Sequence, residues 1–535
     1  MLIGDILRRQ AAPTGRPHKA ALLYHGQAVT FASLDAQVNR LAHALLARGL
    51  RRGDRVALLG RNSPEWVVAY YAAAKCGAIL VPVNFWYRAG ELAYVLLDSS
   101  ATVCLLSAAF APLATAVRAE EGVLVEQWIW LDGRPSAAEF PACAGDPTLD
   151  DVIRDMPASE PVLPGGPLSE TEPHIILYTS GTTGFPKGAM LSHRAHVQHA
   201  ATFALHTGAV EDDVYLNVYP LFHTGGTDCA VLPYHYVGAT VALLPDPKPD
   251  AVLEALEAYG VTAMMAVPTI WRRLVEHPSL PGRDLSRFRR AMGSSDAMPL
   301  DLLRQVVDTF AASWTQTYGL TEAGCILTYL PPADHIRKVG SVGKPHTQAD
   351  LIVADPSRDA EPDWPLRDIH QMPLGETGEV VARTEHVMTG YWGKPDQTAA
   401  ALRNGWLRTG DLGRLDEEGY LSIVGRLKDV IVSGGEKIYP AEVEPVLAQY
   451  PGVQELALVG VPDHEWGESI LAVIVPQADT PVDPATFKEW ARQRVAGYKT
   501  PKHVIFLQSL PRTTGTGKIQ KSVLREQFRS LSEKP

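Results

Sequence analysis

The run Tyr178-Thr-Ser-Gly-Thr-Thr-Gly-Phe-Pro-Lys187-Gly188 places three glycines, four aliphatic hydroxyls and one ammonium within eleven residues. Backbone N–H groups left open by glycine, the hydroxyls of Thr179, Ser180, Thr182 and Thr183, and the Lys187 charge together suit the oxygens of a phosphate. Gly181 and Gly184 let the backbone approach such a group closely. The apolar Ile175-Ile-Leu177 ahead of the run reads as a buried strand. Ser192 behind it reads as the N-cap of a helix through His193 and Val197. The segment is therefore expected to be a strand-to-helix phosphate loop. It departs from the common nucleotide loop, which needs four residues between Gly and Gly-Lys and then Ser or Thr. Here Pro186 precedes Lys187 and Gly188 follows it.

Other stretches carry chemistry at wider spacing. Thr315-Gln-Thr-Tyr318-Gly319-Leu-Thr321-Glu322-Ala323-Gly324 offers an aromatic face, a hydroxyl and a carboxylate within five residues. Gly405-Trp-Leu-Arg-Thr-Gly-Asp411 offers a carboxylate able to accept both hydroxyls of a ribose. Gly425-Arg426-Leu-Lys428-Asp429 leads into Ser433-Gly434-Gly435-Glu-Lys437. Pro511-Arg-Thr-Thr-Gly515-Thr-Gly517-Lys518 reads as a mobile loop with a cation at its tip. Taken alone, each has a plainer reading as a turn, a charged linker or a solvated loop. His223, within Pro220-Leu-Phe-His-Thr-Gly-Gly226, likewise reads as a capping or core histidine. No Ser-His or Cys-His signature of a nucleophile is present.

The elements that must position these residues alternate. A helix over Leu34–Arg48, strand Arg55–Leu59, helix Pro64–Lys75 and strand Ala78–Val83 open the chain. A second series from about His174 includes strands Val214–Val218, Thr240–Leu244 and Thr262–Val267, and helices Pro249–Tyr259 and Pro299–Phe310. Such alternation implies an α/β fold with two stacked, helix-covered sheets. Beyond about Pro331, short strands in Gly/Pro-rich sequence read as a small β-barrel or meander near 335–425. The rhythm changes again after Arg426, giving a smaller, mobile α+β C-terminal unit.

The chain has 535 residues, 46% hydrophobic and 20% charged, which supports several cored domains. Its net charge of −11 disfavours a nucleic-acid partner. Five scattered cysteines without a CxxC fit a reducing, cytoplasmic setting and argue against a zinc site. The N-terminus does not read as a signal peptide, and the apolar stretch Trp66–Val83 is broken by Lys75 and Gly77, so no transmembrane segment is expected.

The order Ser-Gly-Thr-Thr-Gly-x-Pro-Lys-Gly, with the four further motifs following in sequence, resembles the adenylate-forming enzymes: acyl- and aryl-CoA synthetases, firefly-type luciferases and peptide-synthetase adenylation domains. The resemblance covers nearly the whole chain. It implies an N-terminal AMP-binding domain over 1–425, a hinge at 426–428 centred on Lys428, and a C-terminal lid over 429–535. It implies ATP, Mg²⁺ and coenzyme A. In that scheme the 179–187 loop, with Thr183 among the catalytic groups, and Lys518 grip phosphate. Tyr318 and Gly319 face adenine with Gly293, Ser294 and Ser295. Thr321 meets the α-phosphate, Glu322 holds Mg²⁺, and Asp411 and Arg426 take the ribose or phosphate. Gly434, Gly435 and Lys437 lie along the CoA arm. His223 gates an acyl pocket of Thr224, Gly225, Thr227, Gly293, Ala323 and Gly324.

The implied activity is an ATP-dependent carboxylic acid–CoA ligase. The hinge wording, with Val432 and Lys437, looks most like bacterial medium- and long-chain fatty-acyl-CoA synthetases and is shared by some feruloyl-CoA synthetases. An aryl or hydroxycinnamate ligase, or an enzyme loading a carrier protein in trans, are the alternatives. Intact Glu322, Asp411 and Lys518 speak against a non-catalytic acyl-nucleotide sensor. Monomer and homodimer both remain open.

Overall fold

The computed structural model describes residues 1–179, 186–294, 298–478, 480–513 and 518–529. The chain divides into two compact units: Met1–Leu351 with Ala382–Leu407, and Ile352–Val381 with Arg408–Pro535. Lys428, the expected hinge, lies inside the second unit.

Period-two alternation of fully apolar strands builds the first unit. In strand Arg55–Leu59, Val56 and Leu58 enter one core while Ala57 and Leu59 enter another. Tyr215 and Leu216 of strand Val214–Asn217 divide in the same way. A strand buried on both faces must have cover on both faces. Two sheets satisfy this. One has nine strands, with Arg290–Gly293, Ala263–Ala266, Val214–Asn217 and Thr240–Leu243 parallel at its centre. The other has seven, ordered Gly390–Tyr391, Lys187–Ser192, Pro173–Thr179, Ile79–Pro82, Arg55–Leu59, Val103–Leu106 and Gln127–Trp130. The core they share holds helices Ile3–Ala11, Phe31–Ala47, Pro64–Cys76 and His193–Thr207. Helices Pro249–Ala258, Pro268–Val275 and Leu300–Phe310 cover the outer face of the nine-stranded sheet. Ala89–Ser99 and Ala111–Arg118 cover the outer face of the seven-stranded sheet. The two stacked α/β sheets anticipated from the sequence are these.

A five-stranded sheet orders Ala349–Ala354, Gly378–Thr384, Trp406–Leu415 and Leu402–Arg403, with Leu421–Arg426 paired to Trp406–Leu415. It occupies the region expected to form a barrel or meander. The C-terminal part of the second unit has its own five-stranded sheet built on the hairpin Val453–Asp463 and Gly467–Pro476. Leu458 and Ala472 face helices Pro440–Leu447 and Pro484–Arg492 through Val443 and Phe487. Val459 and Val473 face Leu524 of helix Lys521–Gln527.

One expectation changes form. The segment after Thr179 does not run from a strand into a helix. Strand Lys187–Ser192 pairs antiparallel with Pro173–Thr179, Thr179 opposite Lys187, so the phosphate-loop residues join two strands of a hairpin. Helix His193–Thr207 follows the second strand. Ser192 caps it as expected, its hydroxyl accepting from the Ala195 N–H at 3.2 Å.

Lys75, the charge that interrupts Trp66–Val83, is buried at the end of helix Pro64–Cys76. Its ammonium donates to Asp35 at 2.8 Å, Asn39 at 2.8 Å and Glu160 at 2.6 Å, and its stem packs over Gly4. Removing one partner of a buried pair strands the rest. Lys75→Ala is expected to lower unfolding stability by on the order of 3 kcal/mol in urea titration; a loss within measurement error would show that water replaces the ammonium.

Candidate functional site

Glu322 of the second motif meets the Thr179 end of the first. It sits in the 3₁₀ turn Thr321–Ala323, just beyond strand Ser313–Tyr318. Its Oε1 accepts from the Thr179 hydroxyl at 3.0 Å, at the last described position before the phosphate loop. The same oxygen accepts from the Tyr391 hydroxyl at 3.0 Å. Both donors address Oε1, and neither touches Oε2. Burial first, and then the neighbouring Glu322 carboxylate, push the Tyr391 hydroxyl well above its ordinary range, so it stays a donor. Lys187 lies over the same ring at 5.1 Å.

Tight backbone contacts hold this turn. The Glu322 carbonyl accepts from the Met388 N–H at 2.9 Å. Gly324 has φ +72°, and a Cβ there would lie 2.2 Å from the His386 carbonyl oxygen. At Gly319 it would lie 1.9 Å from the Cys325 carbonyl oxygen. Gly293 needs its missing side chain too, since Trp314 and Gln316 fill that space. The Thr317 hydroxyl donates to the Gly293 carbonyl at 3.0 Å, tying the expected adenine-side strand end to the Tyr318 strand.

A second set of groups fixes the ends of the loop hairpin. Asp98 accepts from the Tyr178 hydroxyl at 2.8 Å and from Lys394 at 2.8 Å. The Tyr94 hydroxyl donates to the Pro186 carbonyl at 2.9 Å, and the Trp392 N–H to the Gly188 carbonyl at 2.8 Å. Burial and Asp98 raise the Tyr178 hydroxyl well above its usual range. Sequence reasoning missed Tyr391, Lys394 and Asp98. The first two lie in Gly390-Tyr-Trp-Gly-Lys394, where aromatics and a cation between glycines were a usable signal. Asp98, inside an ordinary amphipathic helix, gave none.

His223 caps the short helix Thr224–Gly226, its Nδ1 accepting from the Gly225 N–H at 3.1 Å. Thr224, Gly225 and Thr227 are buried directly after it, and Ala323 is buried on the Glu322 turn. Ser180, Gly181, Thr182, Thr183, Gly184 and Ser295 lie outside the described residues.

In the second unit, Asp411 and Arg426 face each other across paired strands, Arg426 Nε 2.9 Å from the buried Asp411 carboxylate. The Asp411 N–H donates to the Thr409 hydroxyl at 3.1 Å, which itself donates to the Val380 carbonyl. Lys428 occupies the turn Leu427–Asp429, and Arg525 latches that turn from helix Lys521–Gln527, reaching the Lys428 carbonyl at 2.5 Å and the Asp429 carboxylate at 2.8 Å. Gly434 and Gly435 have φ +59° and +87°, and Gly434 lies against the exposed Trp466 ring. Lys437 is exposed in the adjoining strand, and the exposed Lys518 donates its backbone N–H to the Thr513 hydroxyl at 3.1 Å.

The AMP-binding enzyme family matches residues 7–392, and its C-terminal domain matches residues 442–518. A feruloyl-CoA synthase from Amycolatopsis sp is 39% identical over 96% of both chains. The long-chain-fatty-acid–CoA ligase FadD13 of Mycobacterium tuberculosis is 35% identical over 98% of both. The crystal structure of ATP-bound MatB from Rhodopseudomonas palustris superposes with a TM-score of 0.86 at 31% identity, covering 99% of this chain and all of that one.

The packing at Gly324 gives a direct test of how rigidly the Glu322 turn is set. Gly324→Ala is expected to cost about 3 kcal/mol or more, combining left-handed strain with a backbone collision. Gly340→Ala, with φ +86° but open space, is expected to cost only about 1–2 kcal/mol. Equal shifts in thermal unfolding of the two variants would mean that the turn yields.

Proposed function

Because the chain belongs to the AMP-binding enzyme family and is an ATP-dependent, AMP-forming acid–CoA ligase, we propose that its acid substrate is an aryl acid of the hydroxycinnamate class, activated over Glu322. The two-hydroxyl hold on Glu322 supports the site reading: both donors occupy one carboxylate oxygen, and the other suits a cation. The substrate class is supported by the 39% identity to a feruloyl-CoA synthase along nearly the entire chain. A medium- or long-chain fatty acid is the second reading, supported by 35% identity to FadD13 over 98% of its length.

The substrate carboxylate attacks the α-phosphorus of ATP and pyrophosphate leaves. The CoA thiol then attacks the acyl carbonyl of the mixed anhydride, loses its proton and expels AMP. Lys187 and Lys518 supply positive charge to the phosphates, and Tyr318 supplies the face on which adenine stacks. Glu322 fits Mg²⁺, which takes one or two protein carboxylates and fills its remaining sites with phosphate and water. That ion supplies charge neutralisation on the phosphate oxygens. Thr179 and Tyr391 hold the carboxylate in place for it. Asp411 takes the ribose hydroxyls once Arg426 turns from the carboxylate to phosphate. Lys428 acts as the pivot that withdraws Lys518 after the first step, bringing Gly434, Gly435 and Lys437 to the CoA arm. His223 gates the acyl pocket. The enzyme works in the reducing cytoplasm, which suits five cysteines without a disulfide.

Ferulate, its aryl relatives and a ladder of fatty acids, each with ATP, Mg²⁺ and CoA, separate the two substrate readings. Aryl acids are expected to give at least tenfold higher kcat/KM. A preference for long aliphatic acids would reverse the order, and absence of pyrophosphate release with every acid would remove the ligase reading. Tyr391→Phe is expected to raise the Mg²⁺ needed for half-maximal pyrophosphate release about tenfold, with thermal stability nearly unchanged. Lys518→Ala is expected to lose acyl-adenylate formation while still converting supplied acyl-adenylate to thioester; equal loss in both half-reactions would sink the two-conformation scheme.

A further inference from the structure

We propose that His199, Cys229 and Cys325 form a buried site for one zinc ion, separate from the Mg²⁺ held by Glu322. The three come from distant parts of the first unit: helix His193–Thr207, the π-helical segment Thr227–Val231, and the residue after Gly324. One ligand atom from each lies within 4.8 Å of the other two. The two sulfurs are 3.3 Å apart without a disulfide. All three residues are buried.

The histidine is the second, independent observation. Its Nε2 makes a hydrogen bond at 3.1 Å with the Asp228 backbone carbonyl, an acceptor only, so Nε2 carries the proton. That leaves Nδ1 with a lone pair, completely buried and without a hydrogen-bond partner. A buried imidazole acceptor left unsatisfied is costly and calls for a partner. A histidine that donates its far N–H to a carbonyl and turns its other nitrogen inward has the second-shell arrangement of a metal ligand.

Cys325 adds to this. Its φ of +100° is an unusual backbone state for a non-glycine residue and persists only where the surroundings impose it.

The donor set selects the ion. Two thiols and an imidazole are soft ligands, unsuited to Mg²⁺ or Ca²⁺, which prefer oxygen. Two thiolates cancel the charge of Zn²⁺, so the filled site is neutral in a desolvated setting; Cu⁺ would leave a buried negative charge. Zn–S bonds of about 2.3 Å set tetrahedral sulfurs about 3.8 Å apart, so the pair must open by only about half an ångström. The fourth position falls to a water. The binding step releases the two thiol protons and changes no oxidation state. Cysteines scattered along the sequence without a CxxC had argued against zinc; here tertiary packing gathers two of them.

Chelator-treated full-length protein titrated with Co²⁺, and then with Zn²⁺, tests this. One equivalent of Co²⁺ is expected to produce a thiolate charge-transfer band that Zn²⁺ abolishes. Cys229→Ser and Cys325→Ser are expected to lose the band, and His199→Asn to weaken cobalt binding at least tenfold. On the wild type, where no variant has to fold, one equivalent of Zn²⁺ is expected to slow alkylation of Cys229 and Cys325 at least tenfold, mapped by peptide mass, while Cys76, Cys104 and Cys143 are unaffected. No band and no selective protection would overturn the site. So would a band that survives in the double cysteine variant, or a Cys229–Cys325 disulfide in protein purified under reducing conditions.

Discussion

The carboxylate of Glu322 ties together the first unit's chemistry. A single oxygen accepts from Thr179, at the end of one strand of the hairpin in the seven-stranded sheet, and from Tyr391, on that sheet's edge strand. The carboxylate itself follows a strand of the other sheet. Two sheets that share a core are thus also joined at their chemically active rim.

That convergence depends on the layers beneath it. Strands such as Arg55–Leu59 and Val214–Asn217 bury both faces, which fixes their register, since a slip of one residue would exchange two cores. Rigid strands then deliver Thr179, Tyr318 and the Glu322 turn to set positions. Close backbone packing at Gly319 and Gly324 removes the remaining slack. The hairpin of Pro173–Thr179 and Lys187–Ser192 is held from outside by Asp98, Tyr94 and Trp392, so the facing ends of its two strands are anchored.

The second unit uses charge differently. Asp411 is buried and paired with Arg426 across two strands, so its carboxylate is held by a guanidinium from within the same unit. The Leu427–Asp429 turn is latched by Arg525 of helix Lys521–Gln527, which ties that turn to the C-terminal core.

The sequence by itself determined the element order and the identity of the chemical groups. Both follow from local physics: helices Pro64–Cys76 and His193–Thr207 are announced by caps and apolar spacing, and the strands by continuous apolar runs. Glu322, Asp411 and Lys518 stood out as candidates only through the order of the five motifs along the chain, since each alone has a plainer reading as a turn or a solvated loop. Tertiary structure alone decided that the phosphate loop joins two strands, because antiparallel pairing of Lys187–Ser192 depends on a partner strand and not on its own residues. It alone brought Tyr391 to Glu322, 69 residues away, and set Cys229 beside Cys325, 96 residues away. Contacts at such separations are chosen by how whole sheets and helices pack, and nothing in the local sequence records them.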